Sequence, residues 1–320
     1  MQNLPSVTSE IDSKTVLKVI RKDFKLISPY FHKLNLEWMI EGYNVFKDLD
    51  KYIILIYLIN KDFEFYRRNS LNINYENFLK DKTLEIDKIN LINLSKDLII
   101  PKESVRRKVC ELEKSKIIKK IGKKFLIDRT VFKIFKIEST LKNFSALITI
   151  FNKILKNEKL SKNTLSSEEA IKLMKQNFSF VWYQYYKFVF IYYYRWKKYF
   201  KDLEIFIIIA TITVNSSSKI IKNSLGSGSF IDKWRNEMKR AETQGINTMS
   251  ISEITGIPRP TVVRKIKYLL KNDYISIDKR KLINIKLSNK KSKEVFKIQD
   301  ENLISLSEFI IRVFNQILIK

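Results

Sequence analysis

The chain has 320 residues, 45% of them hydrophobic, which is enough apolar material to fill two domains of ordinary size. Its 61 lysines and arginines exceed its 34 aspartates and glutamates, leaving a formal net charge of +27, a balance that favours anionic partners such as nucleic acid or an acidic membrane surface. A single cysteine, Cys110, excludes an internal disulfide, and a single histidine, His32, leaves no metal cluster and no Ser/His or Cys/His pair, so neither an enzyme nor a metal or other cofactor is expected.

Lys, Ile and Asn are frequent throughout while Ala, Gly and Pro are sparse, a bias that an AT-rich genome also produces, so part of the basic excess carries no functional information. The opening MQNLPSVTSEIDSK lacks a basic start followed by an apolar run, and the longest strongly apolar run, 205–214, is too short to span a bilayer. A soluble, cytoplasmic, nucleoid-associated protein is the expectation, with no membrane partner.

In chain order, Val16, Leu17, Val19, Ile20 and Phe24 have helical spacing and predict an amphipathic opening helix. Residues 30–46 stay helical through Phe31, Leu34, Trp38 and Tyr43, and 50–60 are apolar on nearly every side, as a buried central helix requires. Residues 61–87 are polar and read as a long connection. Across 91–128 a short helix, a turn, a second helix and two short strands are expected, and a closing helix follows at 144–156. The same order then returns. Ala170, Ile171, Leu173, Met174 and Phe178 open it, and the aromatic stretch 178–200 follows, with rings that suit core and interface between the halves better than base stacking. Next come the apolar run 204–215, a polar connection 216–243 containing Leu225-Gly226-Ser227-Gly228-Ser229 and a short charged helix at 232–241, then 248–285 and a closing helix at 306–319.

The recurrence is visible residue by residue. Ile100-Pro101-Lys102-Glu103-Ser104-Val105-Arg106-Arg107-Lys108 aligns without gaps on Ile257-Pro258-Arg259-Pro260-Thr261-Val262-Val263-Arg264-Lys265, at an offset of 157 (101 to 258). Phe46-Lys47-Asp48-Leu49 recurs as Phe200-Lys201-Asp202-Leu203 at 154 (46 to 200), and Phe151-Asn152-Lys153-Ile154-Leu155 matches Phe314-Asn315-Gln316-Ile317-Leu318 at 163 (151 to 314). Offsets that only grow along the chain mean small insertions in the second copy. The sequence therefore reads as a unit of roughly 155 residues duplicated in tandem, 1–157 and 158–320, with matching segments at about 46–128 and 200–285.

Within 250–285, Gly256-Ile257-Pro258 interrupts one helical pattern, and Val262, Ile266, Leu269 and Leu270 then form one face of another, with the basic residues off that face. Tyr274-Ile275-Ser276-Ile277 and Leu282-Ile283-Asn284-Ile285 have strand character around the cationic tip Asp278-Lys279-Arg280-Lys281. Gly256, Thr261-Val262, Arg264 and Tyr274-Ile275 resemble the winged helix-turn-helix of bacterial transcription regulators, the MarR and Crp-like families among them. That resemblance implies a mainly α fold with small β-wings, two tandem winged helix-turn-helix units, and flanking helices of the dimerisation type, so that one chain looks like a covalently linked dimer.

A helix that lies in the major groove must be apolar toward its own domain and short or cationic toward bases and phosphates. Arg107 and Arg264 occupy equivalent outward positions and are the expected base or phosphate contacts; Arg106 lies beside them in the first copy. Ser104 and Thr261 precede the first buried valine, Lys102 and Arg259 stand at the helix start, and Lys108 and Lys265 are expected to serve the backbone. Lys119, Lys120, Lys123 and Lys124, and Lys279, Arg280 and Lys281, form the wing clusters, suited to a minor groove or backbone. Cys110 lies off the inward face opposite Lys267, so little points to redox sensing.

The resulting expectation is a sequence-specific regulator of transcription that binds double-stranded DNA on a pseudo-palindromic site with unlike half-sites, through an intramolecular pseudo-dimer or a homodimer of such chains. Two other readings stay open: a replication initiator with tandem winged helices, and a winged-helix interaction protein of the chromosome-segregation kind. Any small-molecule effector would sit between the aromatic helices and the winged helices, and its identity is left unknown.

Overall fold

Two copies of the tetrapeptide Phe-Lys-Asp-Leu set the helical frame. In the first, Phe46 ends a helix, Lys47 turns left-handed (φ 50°), and the Asp48 side chain accepts from the Lys51 N–H to open the next helix. In the second, Lys201 (φ 62°) follows Phe200, and Asp202 accepts from the N–H groups of Glu204 and Ile205. The Phe and Leu of both copies are buried, so each polar pair makes a tight corner that two apolar side chains pin to the core.

The computed structural model describes residues 11–80, 83–87, 90–122, 124–128, 137–162, 164–223, 231–232, 235–236, 245–286 and 289–318. Its elements run α1 (Ser13–Lys22), α2 (Phe24–Phe46), α3 (Leu49–Arg68), α4 (Tyr75–Lys80), β1 (Thr83–Asp87), α5 (Leu91–Leu98), α6 (Lys102–Lys114), β2 (Ile118–Ile121), β3 (Lys124–Asp128) and α7 (Ile137–Asn157). They continue with α8 (Ser167–Gln176), α9 (Phe178–Phe200), α10 (Leu203–Asn223), α11 (Thr248–Thr255), α12 (Arg259–Lys271), β4 (Ile275–Ile277), β5 (Ile283–Ile285) and α13 (Asn289–Leu318). The fold is mainly helical with two small antiparallel sheets, ordered β1-β3-β2 and β4-β5. No helix among the described residues is long and apolar enough to cross a membrane.

The halves interlock. The long helix α2 packs on its own α3 and α7 but also on α10 of the other half, and α9 reciprocates by packing on α3 as well as on α10 and α13. The opening helix α1 lies against α13 and the opening helix α8 against α7. The aromatic stretch and the closing helices supply the joint: Trp38 stacks on Tyr193 with ring centroids 5.9 Å apart, Phe63 meets Phe178 at 6.0 Å, and Phe144 of α7 meets Phe309 of α13 at 5.0 Å. Residues of both halves thus share one core, and the boundary near Glu158 divides the sequence repeat without dividing the packing.

Three segments differ from their sequence expectation. The polar connection 61–87 carries the last turns of α3, the helix α4 and the strand β1, because Phe63, Phe78, Leu84 and Ile86 bury their side chains between the charged ones. In the second half α10 likewise runs on to Asn223, and the third strand is reduced to one bridge between Ile246 and Ile283. Both closing helices begin early: α7 starts at Ile137 instead of 144, where Ile137 and Leu141 are buried, and α13 starts at Asn289 instead of 306, where Val295, Ile298 and Leu303 extend its apolar face. The segment Leu225-Gly226-Ser227-Gly228-Ser229 and most of 232–241 lie outside the described residues.

Candidate nucleic-acid interface

The helix pairs α5–α6 and α11–α12 are built by matching devices. Asn90 accepts from the Ile92 N–H to open α5, and Asn247 accepts from the Ser250 N–H to open α11. Ser95 donates its hydroxyl to the Ile100 carbonyl at 2.6 Å, and Ser252 donates to the Ile257 carbonyl at 2.7 Å, holding the turn closed. Between these, Ile99 and Gly256 take the left-handed conformation that stops the first helix, with φ 51° and 68°. Pro101 and Pro258 then stand before α6 and α12 with φ −53° in both cases. The serines and asparagines are short polar residues ahead of a turn, a signal that sequence reading passed over.

Inward, α6 buries Val105, Val109 and Leu112, and α12 buries Val262, Ile266 and Leu269. Outward, Lys102, Arg106, Arg107, Arg259 and Arg264 are exposed, while Ser104 and Thr261 are half-buried at the edge of the apolar face. Lys267, Tyr268 and Lys271 extend the exposed face of α12. Tyr268 stands one helical turn after Arg264, a spacing that places the two on one side of the helix.

Lys108 and Lys265 do not face outward as expected. Both are buried, and their ammonium groups pair with Asp48 and Asp202, Lys265 also reaching Glu204 at 3.0 Å. The reason is helical geometry, because each lysine comes one turn after the outermost inward position and lies over the Phe-Lys-Asp-Leu corner. Burial pushes the Asp48 carboxyl up, but the Lys108 ammonium and the N–H of Lys51 outweigh it and hold the group below its ordinary range. These two sets of ion pairs bolt α6 to the start of α3 and α12 to the start of α10.

The two outward faces are unlike. On α6, Glu103 lies 3.8 Å from Arg106 and Glu111 lies 3.9 Å from Arg107. Glu111 is also held by Lys51 at 2.8 Å, and that hydrogen bond keeps its carboxyl below the ordinary range. On α12 there is no acidic residue, and Arg264 makes no ion pair among the described residues.

The hairpins differ too. Lys119 and Lys120 are exposed on β2, Lys124 is engaged by Glu85 on the neighbouring strand, and Lys123 lies outside the described residues. In the second hairpin the Asp278 side chain accepts from the N–H groups of Arg280 and Leu282, and this turn leaves Lys279, Arg280 and Lys281 exposed. Cys110 is exposed on α6. No family model, no curated protein and no solved structure matches this chain.

Proposed function

We propose that the chain is a double-stranded-DNA-binding regulator of transcription, built as two tandem winged helix-turn-helix units from an internal duplication, with α6 and α12 as the reading helices. The observation that carries this reading is the outward face of α12: Arg259, Arg264, Lys267 and Lys271 are exposed on a helix without acidic residues, next to a turn presenting Lys279, Arg280 and Lys281. A basic rod with a small Thr261 at its edge and a cationic hairpin beside it has the shape and charge that a major groove and its flanking phosphates demand. The net charge of +27 adds the long-range attraction.

The two faces divide the labour unequally. Glu103 and Glu111 offset the arginines of α6, whereas among the described residues no carboxylate pairs with those of α12, so α12 is the stronger reader and the site has unlike half-sites. The interlocked helices take the place of a subunit interface, giving a pseudo-dimer within one chain. Selection of bound duplexes from a random pool tests the reading. Enrichment of a two-part site with one half better defined than the other is expected, and a pool that never departs from random sequence would contradict sequence-specific binding.

A further inference from the structure

The frame leaves a space at matching places in the two halves and fills it in two ways. In one, Trp38, Tyr52, Trp182 and Tyr186 close the space down to about 10 Å³. There the Trp182 indole donates to the Tyr186 hydroxyl at 3.1 Å, so the polar atoms satisfy each other. At the offset of 154 found in this part of the chain, Trp182 corresponds to Ser28 and Tyr186 to His32. His32 lines the second space in place of the Tyr186 phenol, and that space holds a cavity of about 110 Å³.

That cavity is built from Phe31, His32, Tyr192, Trp196, Phe206 and Ala210 together with the α13 residues Val295 and Asn302. Two of its polar atoms are unmatched: His32 Nε2 and Asn302 Nδ2 are both buried without a hydrogen-bond partner among the described residues. Native interiors seldom leave such groups unpaired, because each unmet hydrogen bond is costly. Burial pushes His32 down to about 4, so the ring is neutral at neutral pH. Among the described residues no Lys, Arg, Asp or Glu lines the wall, so a charged guest finds no partner there. At about 110 Å³ the space is smaller than the apolar cavity of about 150 Å³ known to hold benzene, so it takes at most one small ring.

We propose that this cavity binds one small, uncharged aromatic alcohol per chain, its ring among Phe31, Tyr192, Trp196 and Phe206 and its hydroxyl bonded to His32 Nε2. A hydroxyl suits this position because it donates or accepts as the imidazole tautomer requires. The site is independent of the DNA reading, since its walls include none of the outward residues of α6 or α12.

Calorimetric titration of the full chain with benzyl alcohol, toluene and benzoate tests it. Benzyl alcohol should bind at one per chain, toluene about tenfold more weakly for want of one hydrogen bond, and benzoate more weakly still. His32→Phe should erase the preference for benzyl alcohol over toluene. Ala210→Leu, or Val295→Phe on the opposite wall, should abolish binding of both by filling the space. Nuclear Overhauser contacts from the ring protons of benzyl alcohol to the Ala210 methyl of the unmodified chain should locate the guest. Absence of saturable binding, benzoate binding as well as benzyl alcohol, or contacts that place the ring elsewhere would overturn the proposal.

Discussion

Phe151 and Phe314 meet edge to face, with ring centroids 5.6 Å apart and planes at 88°, and both side chains are buried. They hold the same place in the repeated Phe-Asn-x-Ile-Leu segment of the two closing helices. Equivalent residues touch each other only where a twofold axis passes between them, as in an isologous dimer. Truncating either ring to alanine should therefore cost a similar amount, about 3–4 kcal/mol, with a coupling of about 1 kcal/mol in the double variant. Denaturant unfolding of the two single variants and the double variant measures this. Strongly unequal single costs would mean that the two positions are not equivalent.

The buried lysines separate scaffold from surface on neighbouring residues. Lys108→Ala leaves Asp48 without its ammonium partner and should cost about 2 kcal/mol, less than a fully buried pair because the Asp48 side chain keeps 29% exposure. Arg107→Ala, one residue earlier and exposed, should leave stability within about 0.5 kcal/mol while weakening DNA binding. Since Asp48 is held below its ordinary range, its contribution is present above the unfolded carboxylate value near 4 and is lost as pH falls through the folded value. Comparing Lys108→Ala with the unmodified chain at pH 7 and at pH 3 should show the difference shrinking with acid.

Ile99 and Gly256 make the same left-handed stop, yet only glycine takes that backbone without strain. A β-branched residue there costs about 1–2 kcal/mol, partly offset by the larger entropy glycine loses on folding, so Ile99→Gly should stabilise by about 0.5–1 kcal/mol. Gly256→Ala should do the opposite and cost at least about 1 kcal/mol, since its new methyl would lie 1.9 Å from Asn44 Oδ1. Chemical denaturation of both variants reads the two signs, and destabilisation by Ile99→Gly would show that the Ile99 side chain matters more than its backbone.

His32 gives stability a pH dependence of its own. Its folded value is pulled down to about 4 by burial, against about 6.5 unfolded, so between those values the unfolded chain binds the extra proton. Stability from this residue is full above about pH 6.5 and declines toward pH 4, by roughly 3 kcal/mol at most. Unfolding of the unmodified chain and of His32→Phe at pH 7.5 and 5 should show a smaller loss in the variant. Equal losses in both would mean that His32 reaches solvent readily.

Much of this was legible in the chain. The repeats at 46–49 and 200–203, at 100–108 and 257–265, and at 151–155 and 314–318 are the helix corner, the start of the second helix and the closing contact, each a place where geometry restricts the residue. What was not legible depended on distance in sequence. Lys108 reads as surface until Asp48, sixty residues away, is seen beneath it. The strand β1 was hidden because its pairing with β3 joins residues on either side of α5 and α6, and the two cavities because their walls combine residues of several helices, Tyr186 on α9 in one and His32 on α2 in the other.

The outward face of α12 is tested most directly by titrating a duplex that carries a selected site with the unmodified chain and with Arg264→Ala, over 50–200 mM salt. If α12 reads bases while the wings and helix ends neutralise about six to ten phosphates, affinity of the unmodified chain should fall by about 10³ to 10⁵ over that range. Arg264→Ala should cost roughly 1–3 kcal/mol on the selected site and little on an unrelated duplex. Affinity that ignores salt, or an Arg264→Ala variant that binds both duplexes as the unmodified chain does, would contradict the assignment of α12 as the reading helix.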